Sequence, residues 1–337
     1  MKFKSILSET KHRKRINIIK ELAQFKEEYR IPSLNLQVVD FEKDGSKGVV
    51  KFQWNRGKIK NNTPFLAQSV SKTHVKVLIL KLVELGKIDL DAPILDWLDP
   101  TKDGKNVINY YDWNAWSNIT VRDCLLHKSG IPDFMNEIDD FASYNPDAPK
   151  SFGWVDVMRA LSQYPLYFEA GKEELYSNSN FYILTTIAEL TMKKRWYQLL
   201  EEYIFAPAGC RNSGRVDYRK PEVRKMIGFI IDETGNMERG NLWTNSLSKG
   251  LIYTTVTDLH LFSKALLAGR IISVKLLKEW FDDQDNPIGQ LGAGDSGSIV
   301  YYNLEMSSGK STVFVTDLFS DKLFDEIIEI GDKANEI

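Results

Sequence analysis

A serine and a lysine three residues apart are the first side chains in this sequence whose types and spacing point to chemistry. They stand in Ser69-Val-Ser-Lys72, directly before an almost wholly apolar stretch at residues 75–83. In a helix, a spacing of three places both side chains on one face, so the ammonium group can reach the hydroxyl. A lysine partly desolvated by an apolar helix can act as a base toward the serine, and free N–H groups at a helix start can stabilise an oxyanion. The tetrapeptide equally fits an N-cap serine beside a solvated lysine, so by itself it identifies no function.

Tyr176-Ser-Asn178 is the second candidate, and it stands just before a helical pattern that begins at residue 180. A tyrosine phenol can carry a proton when a nearby cation lowers its pKa, and an asparagine amide can orient a substrate carbonyl or a lysine. The alternative interpretation is an aromatic anchor followed by a polar helix cap. Taken alone, this motif favours the structural alternative.

The elements that must position these motifs follow from hydrophobic periodicity. Near the N-terminus, the pattern predicts a helix over residues 16–29 and strands over 34–39 and 49–54. Near the C-terminus, it predicts strands over 298–304 and 311–316 and a helix over 322–330. The middle is chiefly helical, and Thr120-Val-Arg-Asp123 has the capping-box pattern of a helix start. The sequence therefore predicts an α+β fold, in which both termini form an antiparallel sheet with flanking helices around an inserted helical domain.

This order of elements gives an expected domain organisation. Residues 1–337 form a single unit with two subdomains. We expect residues 1–85 and 245–337 to form an α/β subdomain, and residues 86–244 to form a mostly helical one.

Composition excludes several classes of protein. The chain has 337 residues, 43% of them hydrophobic and 27% charged, as expected for a compact folded protein with a large core. Lys plus Arg (44) against Asp plus Glu (46) gives a formal charge of -2, which argues against nucleic-acid binding. Cys124 and Cys210 lie far apart and, with four histidines, make no zinc set, so neither a metal nor another cofactor is expected.

The sequence also bears on location. Its longest apolar stretch falls short of the roughly 20 residues that a membrane span needs, so no membrane span is expected. Residues 1–20 lack the apolar core of a secretory signal, which predicts a cytoplasmic protein. If Met1 replaces a removed signal, a periplasmic or extracellular location is expected instead. The sequence indicates no oligomeric state.

Five segments, in order, resemble the penicillin-recognising serine hydrolases, the group of class C β-lactamases, D-alanyl-D-alanine peptidases and EstB-type esterases. Two of these segments resemble the family's nucleophile segment and the end of the helix that follows it. The other three resemble its L-L-x-H-x-S-G-x-P, P-G-x-x-x-x-Y-S-N and G-G-L-x-S-T-x-x-D segments. The resemblance extends over nearly the whole chain. The matching segments are residues 64–72, 82–93, 125–132, 169–180 and 249–258.

The resemblance implies a role for each motif. Ser69 would be the acylated nucleophile, Lys72 and Tyr176 the pair that handles the proton, and Asn178 their organiser. It also implies a β-lactamase/transpeptidase-like fold with the site in the cleft between the α/β part and the helical part. His127 would be a packed or hydrogen-bonded histidine rather than a catalytic one.

The third motif of that family, Lys-Thr-Gly or His-x-Gly on a strand that lines the cleft, is altered here. The best ungapped match is Leu291-Gly-Ala-Gly-Asp-Ser-Gly297, which puts Leu291 where the basic residue belongs, and a single gap would put Gly292 there. Loss of that cation should weaken recognition of a substrate carboxylate. Gly294 is expected to give the second oxyanion N–H beside that of Ser69.

Two functions remain open on the sequence. The first is a serine hydrolase that forms an acyl-enzyme on Ser69 with small esters or amides, and that recognises β-lactams weakly or not at all. Its partner would be a small-molecule acyl substrate. The second is a catalytically silent relative that binds a peptide, a cell-wall-like fragment or a protein in the same cleft, and the altered third motif and a short segment at 279–290 favour it.

Overall fold

The computed structural model describes residues 2–98, 113–137, 157, 161, 164–217, 219–232, 234–241, 249–281 and 288–337. Within these ranges, short 3₁₀ and π turns connect some of the helices. No helix there combines the length and the apolar character that a membrane crossing requires. The α-helices are α1 (Lys2–Glu28), α2 (Ser71–Glu84), α3 (Leu95–Leu98), α4 (Val121–Leu125), α5 (Phe134–Glu137), α6 (Asn178–Met192), α7 (Trp196–Leu200), α8 (Ala206–Ala208), α9 (Pro221–Arg224), α10 (Val256–Leu267), α11 (Val274–Phe281) and α12 (Phe324–Asn335).

The described strands form three sheets. The largest has five antiparallel strands in the order β2-β1-β10-β9-β8, and the two small sheets have the orders β3-β7-β4 and β11-β5-β6. The strands are β1 (Leu34–Phe41), β2 (Gly48–Arg56), β3 (Phe65–Leu66), β4 (Gly214–Arg215), β5 (Phe229–Ile231), β6 (Met237–Arg239), β7 (Ile252–Thr254), β8 (Ile288–Gly294), β9 (Ser298–Glu305), β10 (Lys310–Thr316) and β11 (Leu318–Phe319).

The chain divides into two compact units. The first contains Met1–Thr73, Ile204–Asn245 and Leu251–Ile337, and the second contains His74–Tyr203 and Ser246–Gly250. All three sheets belong to the first unit. In the described part of the second unit, the regular elements are helices.

The five-stranded sheet of the first unit has helices on both faces. Neighbouring residues of a strand point to opposite faces, and β9 shows this directly. The hydroxyls of Tyr302 and of Ser263 on α10 are hydrogen-bonded over 2.8 Å. The Tyr301 hydroxyl instead donates a hydrogen bond of 2.6 Å to Asp332 of α12. Helix α10 therefore covers one face and α12 the other.

A hydrophobic cluster fills the space between the sheet and the face that α1 and α12 cover. Helix α1 contributes residues spaced by four and three, which places them on one side of the helix. The cluster also includes buried residues of β1, β9, β10 and α12. Representative members are Ile18, Leu22, Phe25, Leu36, Ile299, Phe314 and Ile327. The predicted sheet from both termini with flanking helices is confirmed, since the strand pairs join residues 34–56 to residues 288–316.

The predicted subdomain boundaries, 1–85 with 245–337 and 86–244, differ from this division. Residues 204–245 belong to the first unit because their short strands pair there, β4 with β7 and β5 with β11. The boundary near the start also moves, from the end of α2 to Thr73 inside it. Strands of two or three residues are too short to produce a periodic pattern in the sequence.

A buried histidine on α10 links that helix to the sheet. Nδ1 of His260 lies 2.9 Å from the hydroxyl of Ser311 on β10, and Ser311 also bonds Ser263. Nε2 of His260 has no hydrogen-bond partner among the described residues. Burial lowers the pKa of His260 to about 3, so the ring is neutral in the folded protein.

Acid should therefore destabilise the protein through His260. The unfolded ring titrates near pH 6.5, so between about pH 6.5 and 3 the unfolded chain binds a proton that the folded chain does not. The free energy of unfolding therefore decreases as the pH is lowered across that window. Replacing His260 by Asn keeps a group that can bond Ser311 but cannot titrate. In urea denaturation between pH 7 and 5, the wild type should lose stability faster than His260→Asn, by up to about 1.4 kcal/mol per pH unit. Parallel curves for the two proteins would contradict this.

Candidate active site

The sequence-predicted site residues fall into two groups, one in each unit. Ser69 lies in the first unit, in a 3₁₀ turn over Gln68–Val70, and α2 begins directly after it at Ser71. The Nζ atom of Lys72 donates a hydrogen bond of 3.1 Å to the Oγ atom of Ser69. The structure therefore brings the predicted nucleophile and base together. The two residues are three positions apart, with Ser69 in the 3₁₀ turn and Lys72 in the first turn of α2.

The residues on both sides of Ser69 are hydrogen-bonded to strand β7, Ala67 through its backbone and Ser71 through its side chain. The N–H of Ala67 donates to the carbonyl of Ile252 (3.0 Å), and the N–H of Ile252 donates to the hydroxyl of Ser71 (3.1 Å). The short strand β3 pairs with β7 just before the turn. A single residue of β7 thus holds both ends of the segment that carries Ser69, which limits the movement of its hydroxyl and its N–H.

Strand β8 approaches this turn through a glycine. A Cβ atom added to Gly292 would lie 2.8 Å from the backbone N of Ser69 and 2.8 Å from the carbonyl O of Ala67. Only glycine permits this approach without a shift of the backbone. Gly294 lies on the same face two residues later, and a Cβ there would lie 3.0 Å from Oε1 of Gln68. Gly294 as the second oxyanion donor stays a prediction.

The register of β8 changes which residue stands at the third-motif position. Residues 288–294 pair with β9 without a bulge, so Gln290 and Gly292 share one face and Leu291 points to the other. Leu291 packs against the hydrophobic cluster under α1 and α12. The side chain that precedes Gly292 on the face of Ser69 is therefore Gln290. The ungapped motif match placed Leu291 there, and the match with one gap placed Gly292 there, because a sequence motif cannot show the register of a strand.

Tyr176 and Asn178 form the group in the second unit, at the start of α6. The Tyr176 hydroxyl donates a hydrogen bond of 3.4 Å to Oδ1 of Asn178. Tyr176 as a residue is 44% exposed, and its ring stacks on His127 with ring centroids 4.7 Å apart and an interplanar angle of 27°. Tyr176 and Asn178, the two functional residues predicted in this motif, are thus in contact.

His127 packs against the ring of Tyr176 and is itself held by a hydrogen bond. Its Nδ1 atom accepts a hydrogen bond of 3.1 Å from the N–H of Ser177, so Nδ1 carries no proton. Its ring also packs at 5.2 Å from Phe181. As predicted, His127 is packed and hydrogen-bonded.

The sequence did not identify Asp133, which holds Asn178. One oxygen of this buried carboxylate accepts hydrogen bonds from the backbone N–H (3.1 Å) and from the Nδ2 atom (2.8 Å) of Asn178. The other oxygen accepts one of 3.0 Å from the N–H of Met135. An aspartate directly before α5 is typical of a helix cap, so its position in the sequence gives no sign of the contact with Asn178.

Two lysines of the second unit, Lys249 and Lys76, are largely buried. The Nζ atom of Lys249 donates to Glu189 (2.9 Å) and to Thr186 (3.1 Å), and burial lowers its pKa. Burial also lowers the pKa of Lys76 to about 8, an effect that the negative charge of Glu174 opposes. Each of these cations therefore faces a glutamate of its own unit.

Comparison with known proteins identifies the family. A family model described as Beta-lactamase matches residues 18–290. The chain belongs to that family. It is 23% identical over 276 residues to the putative penicillin-binding protein PbpX of Bacillus subtilis, which covers 78% of this chain and 64% of the relative. It is 24% identical over 236 residues to a teichoic acid D-alanine hydrolase of Staphylococcus aureus, covering 68% of this chain and 53% of that one. The chain thus spans about half to two thirds of the length of these curated relatives.

Solved structures confirm the fold. The D-amino acid amidase from Ochrobactrum anthropi SV3, complexed with D-phenylalanine, superposes with a TM-score of 0.74 at 18% identity, over 95% of this chain and 97% of that one. A class C beta-lactamase mutant superposes with a TM-score of 0.66 at 14% identity, over 96% of this chain and 97% of that one. The fold is therefore β-lactamase/transpeptidase-like, as the resemblance implied.

Removing the carboxylate of Asp133 should destabilise the second unit. In Asp133→Ala, three N–H donors lose their acceptor in a buried place, which should lower the free energy of unfolding by roughly 2–3 kcal/mol. The control is Asp91→Ala in the same unit, where an exposed carboxylate forms two short hydrogen bonds with Arg122. Exposed ion pairs contribute little, so this change should have a much smaller effect. Urea denaturation measures both, and equal losses would contradict the assignment.

Proposed function

We propose that the protein is a serine hydrolase that forms an acyl-enzyme on Ser69 with small esters or amides. The observation that carries this proposal is the hydrogen bond of 3.1 Å from Lys72 Nζ to Ser69 Oγ, next to the close approach of β8 at Gly292. A nucleophile, a base and backbone N–H groups are the components that acyl transfer requires. Family membership and relatives named as hydrolases support the same reaction.

In the proposed reaction, Lys72 is the base that accepts the hydroxyl proton of Ser69 as Oγ attacks the substrate carbonyl. The N–H of Ser69 stabilises the oxyanion, together with an N–H of β8, for which Gly294 is the predicted donor. Collapse of the tetrahedral intermediate breaks the bond to the leaving group, which takes up that proton; the family resemblance implies Tyr176 as the carrier. Water then attacks the acyl-enzyme, and Ser69 recovers its proton. Asn178 orients the Tyr176 hydroxyl to which it is bonded.

The proposed substrates carry no carboxylate near the scissile bond. Gln290 stands on the Ser69 face of β8, two residues before Gly292, and its amide is neutral. A neutral amide can donate and accept hydrogen bonds but does not attract a carboxylate as a cation does. Weak recognition of penicillins is therefore part of the proposal. The printed names of the relatives, an amidase for D-amino acids and a D-alanine hydrolase, suggest D-aminoacyl esters and amides as the first substrates to test.

A fluorophosphonate probe tests the nucleophile. Oγ displaces fluoride from the probe, so the wild type should gain the mass of one phosphonyl group (the probe minus HF) per chain, on the peptide that contains Ser69, and Ser69→Ala should gain none. Lys72→Ala should label far more slowly, by roughly 100-fold or more, because the hydroxyl loses its base. Circular dichroism of each variant checks that it is folded. A wild type that gains no probe would reject the hydrolase and favour the silent binding protein.

Gln290 and Leu291 give a matched pair for substrate charge. Gln290→Lys places a cation on the face of Ser69 and should raise kcat/KM for an ester with a carboxylate, relative to its uncharged amide analogue, by roughly tenfold or more. Leu291→Lys places the same charge toward the hydrophobic cluster. It should lower stability and give no gain. A gain in Leu291→Lys, or none in Gln290→Lys, would contradict the assigned register and the substrate proposal.

A further inference from the structure

Gln68, the residue directly before Ser69, is buried in a strained backbone conformation. Gln68 is only 3% exposed, and its φ angle is +50°. A non-glycine residue adopts a positive φ at an energetic cost, and such strain persists only where surrounding contacts compensate for it. The contacts around Gln68 must therefore offset the cost of this conformation.

Those contacts come from the hairpin of β8 and β9. The Nε2 group of Gln68 donates to the hydroxyl of Ser296 and, over 3.0 Å, to the hydroxyl of Ser298. Both serines are buried. The Ser298 hydroxyl in turn donates to the carbonyl of Leu66, over 3.4 Å. Both N–H donors of the Gln68 amide are thus used, and they tie the residue before the nucleophile to the turn that follows β8 and to the first residue of β9.

This bridge lies where strand β8 packs against the backbone of the Ser69 turn. Gly292 and Gly294 of β8 pack against the turn of Ser69, and a Cβ atom on either would approach that turn to 3.0 Å or less. Ile252 of β7 holds the turn through Ala67 and Ser71, but β7 and β8 belong to different sheets. The Gln68 amide provides a side-chain bridge from the nucleophile turn to the β8–β9 hairpin.

We propose that Gln68 is a positioning residue of the oxyanion site. Its amide holds the N–H of Ser69 and the backbone of β8 at the separation that an oxyanion requires. Gln68 touches no substrate, and it acts through the two backbones that it joins. The proposal rests on the proposed hydrolase function. It predicts a defect in the tetrahedral state rather than in substrate binding, since the oxyanion forms only as the hydroxyl attacks.

Gln68→Met tests the bridge, because it keeps the length of the side chain and removes both N–H donors. For an activated ester, we expect kcat to fall by roughly 10- to 100-fold, somewhat less than for the loss of an oxyanion donor itself, while KM changes by less than about twofold. The affinity for a phenylboronic acid, which forms a tetrahedral adduct on Ser69, should fall by a similar factor. A change in KM with no fall in kcat would overturn the proposal.

Two controls separate positioning from stability. Gln37→Met makes the same change at another buried glutamine of the first unit, which bonds Gln53 over 3.1 Å. It should lower the melting temperature but change kcat by less than about twofold. The double variant Ser296→Ala with Ser298→Ala removes the acceptors of Gln68. Combined with Gln68→Met, its loss in kcat should not add to that of Gln68→Met, and an additive loss would overturn the proposal.

Gln68→Gly covers the case in which Gln68→Met does not fold, since glycine accepts the positive φ and still lacks the amide. Amide hydrogen exchange of the peptide over residues 66–72 gives a readout that needs no activity. Exchange at Ser69 should be faster in Gln68→Met or Gln68→Gly than in Gln37→Met. If the wild type does not react with the fluorophosphonate probe, the hydrolase proposal fails while this exchange difference still reports on the bridge. Equal exchange in all proteins would overturn the bridge itself.

Discussion

The close packing of strand β8 against the turn of Ser69 is the constraint on which the first unit's part of the site depends. With glycine at residue 292, the strand backbone comes within contact distance of the Ser69 N atom. The turn cannot move away, because Ile252 bonds both of its ends. The hydrogen bond between Lys72 and Ser69 forms on a segment that is held from two sides. A rigid backbone of this kind is what an oxyanion site needs, since its N–H donors must be in place before charge develops.

The second unit follows the same physical rule with different groups. Asn178 is held by the buried carboxylate of Asp133, and Tyr176 lies against the ring of His127. In both units, the residues with proposed chemical roles are partly exposed, and the groups that orient them are mostly buried. Burial makes these supporting hydrogen bonds costly to break. The supports therefore determine how well the candidate residues keep their orientation.

Local features of this site could be predicted from the sequence, and distant ones could not. The contact of Ser69 with Lys72 and the capping box of Thr120 with Asp123 depend on a spacing of three, and both are present. The bond from Gln68 to Ser298 joins residues 230 positions apart, and that from Asn178 to Asp133 joins residues 45 apart. Such contacts depend on strand register and on the packing of separate segments. For the same reason, the sequence alone placed Leu291, rather than Gln290, on the reactive face of β8.

The central claim is that Ser69 carries the acyl group during turnover, and rapid acid quenching followed by peptide mass spectrometry tests it most directly. The wild type is mixed with p-nitrophenyl acetate, stopped during the first turnover and digested. The account predicts one acetyl group on the peptide that contains Ser69, appearing together with p-nitrophenolate and disappearing as the ester is exhausted. Release of p-nitrophenolate by the wild type, with no acetyl group on that peptide at any time, would contradict it.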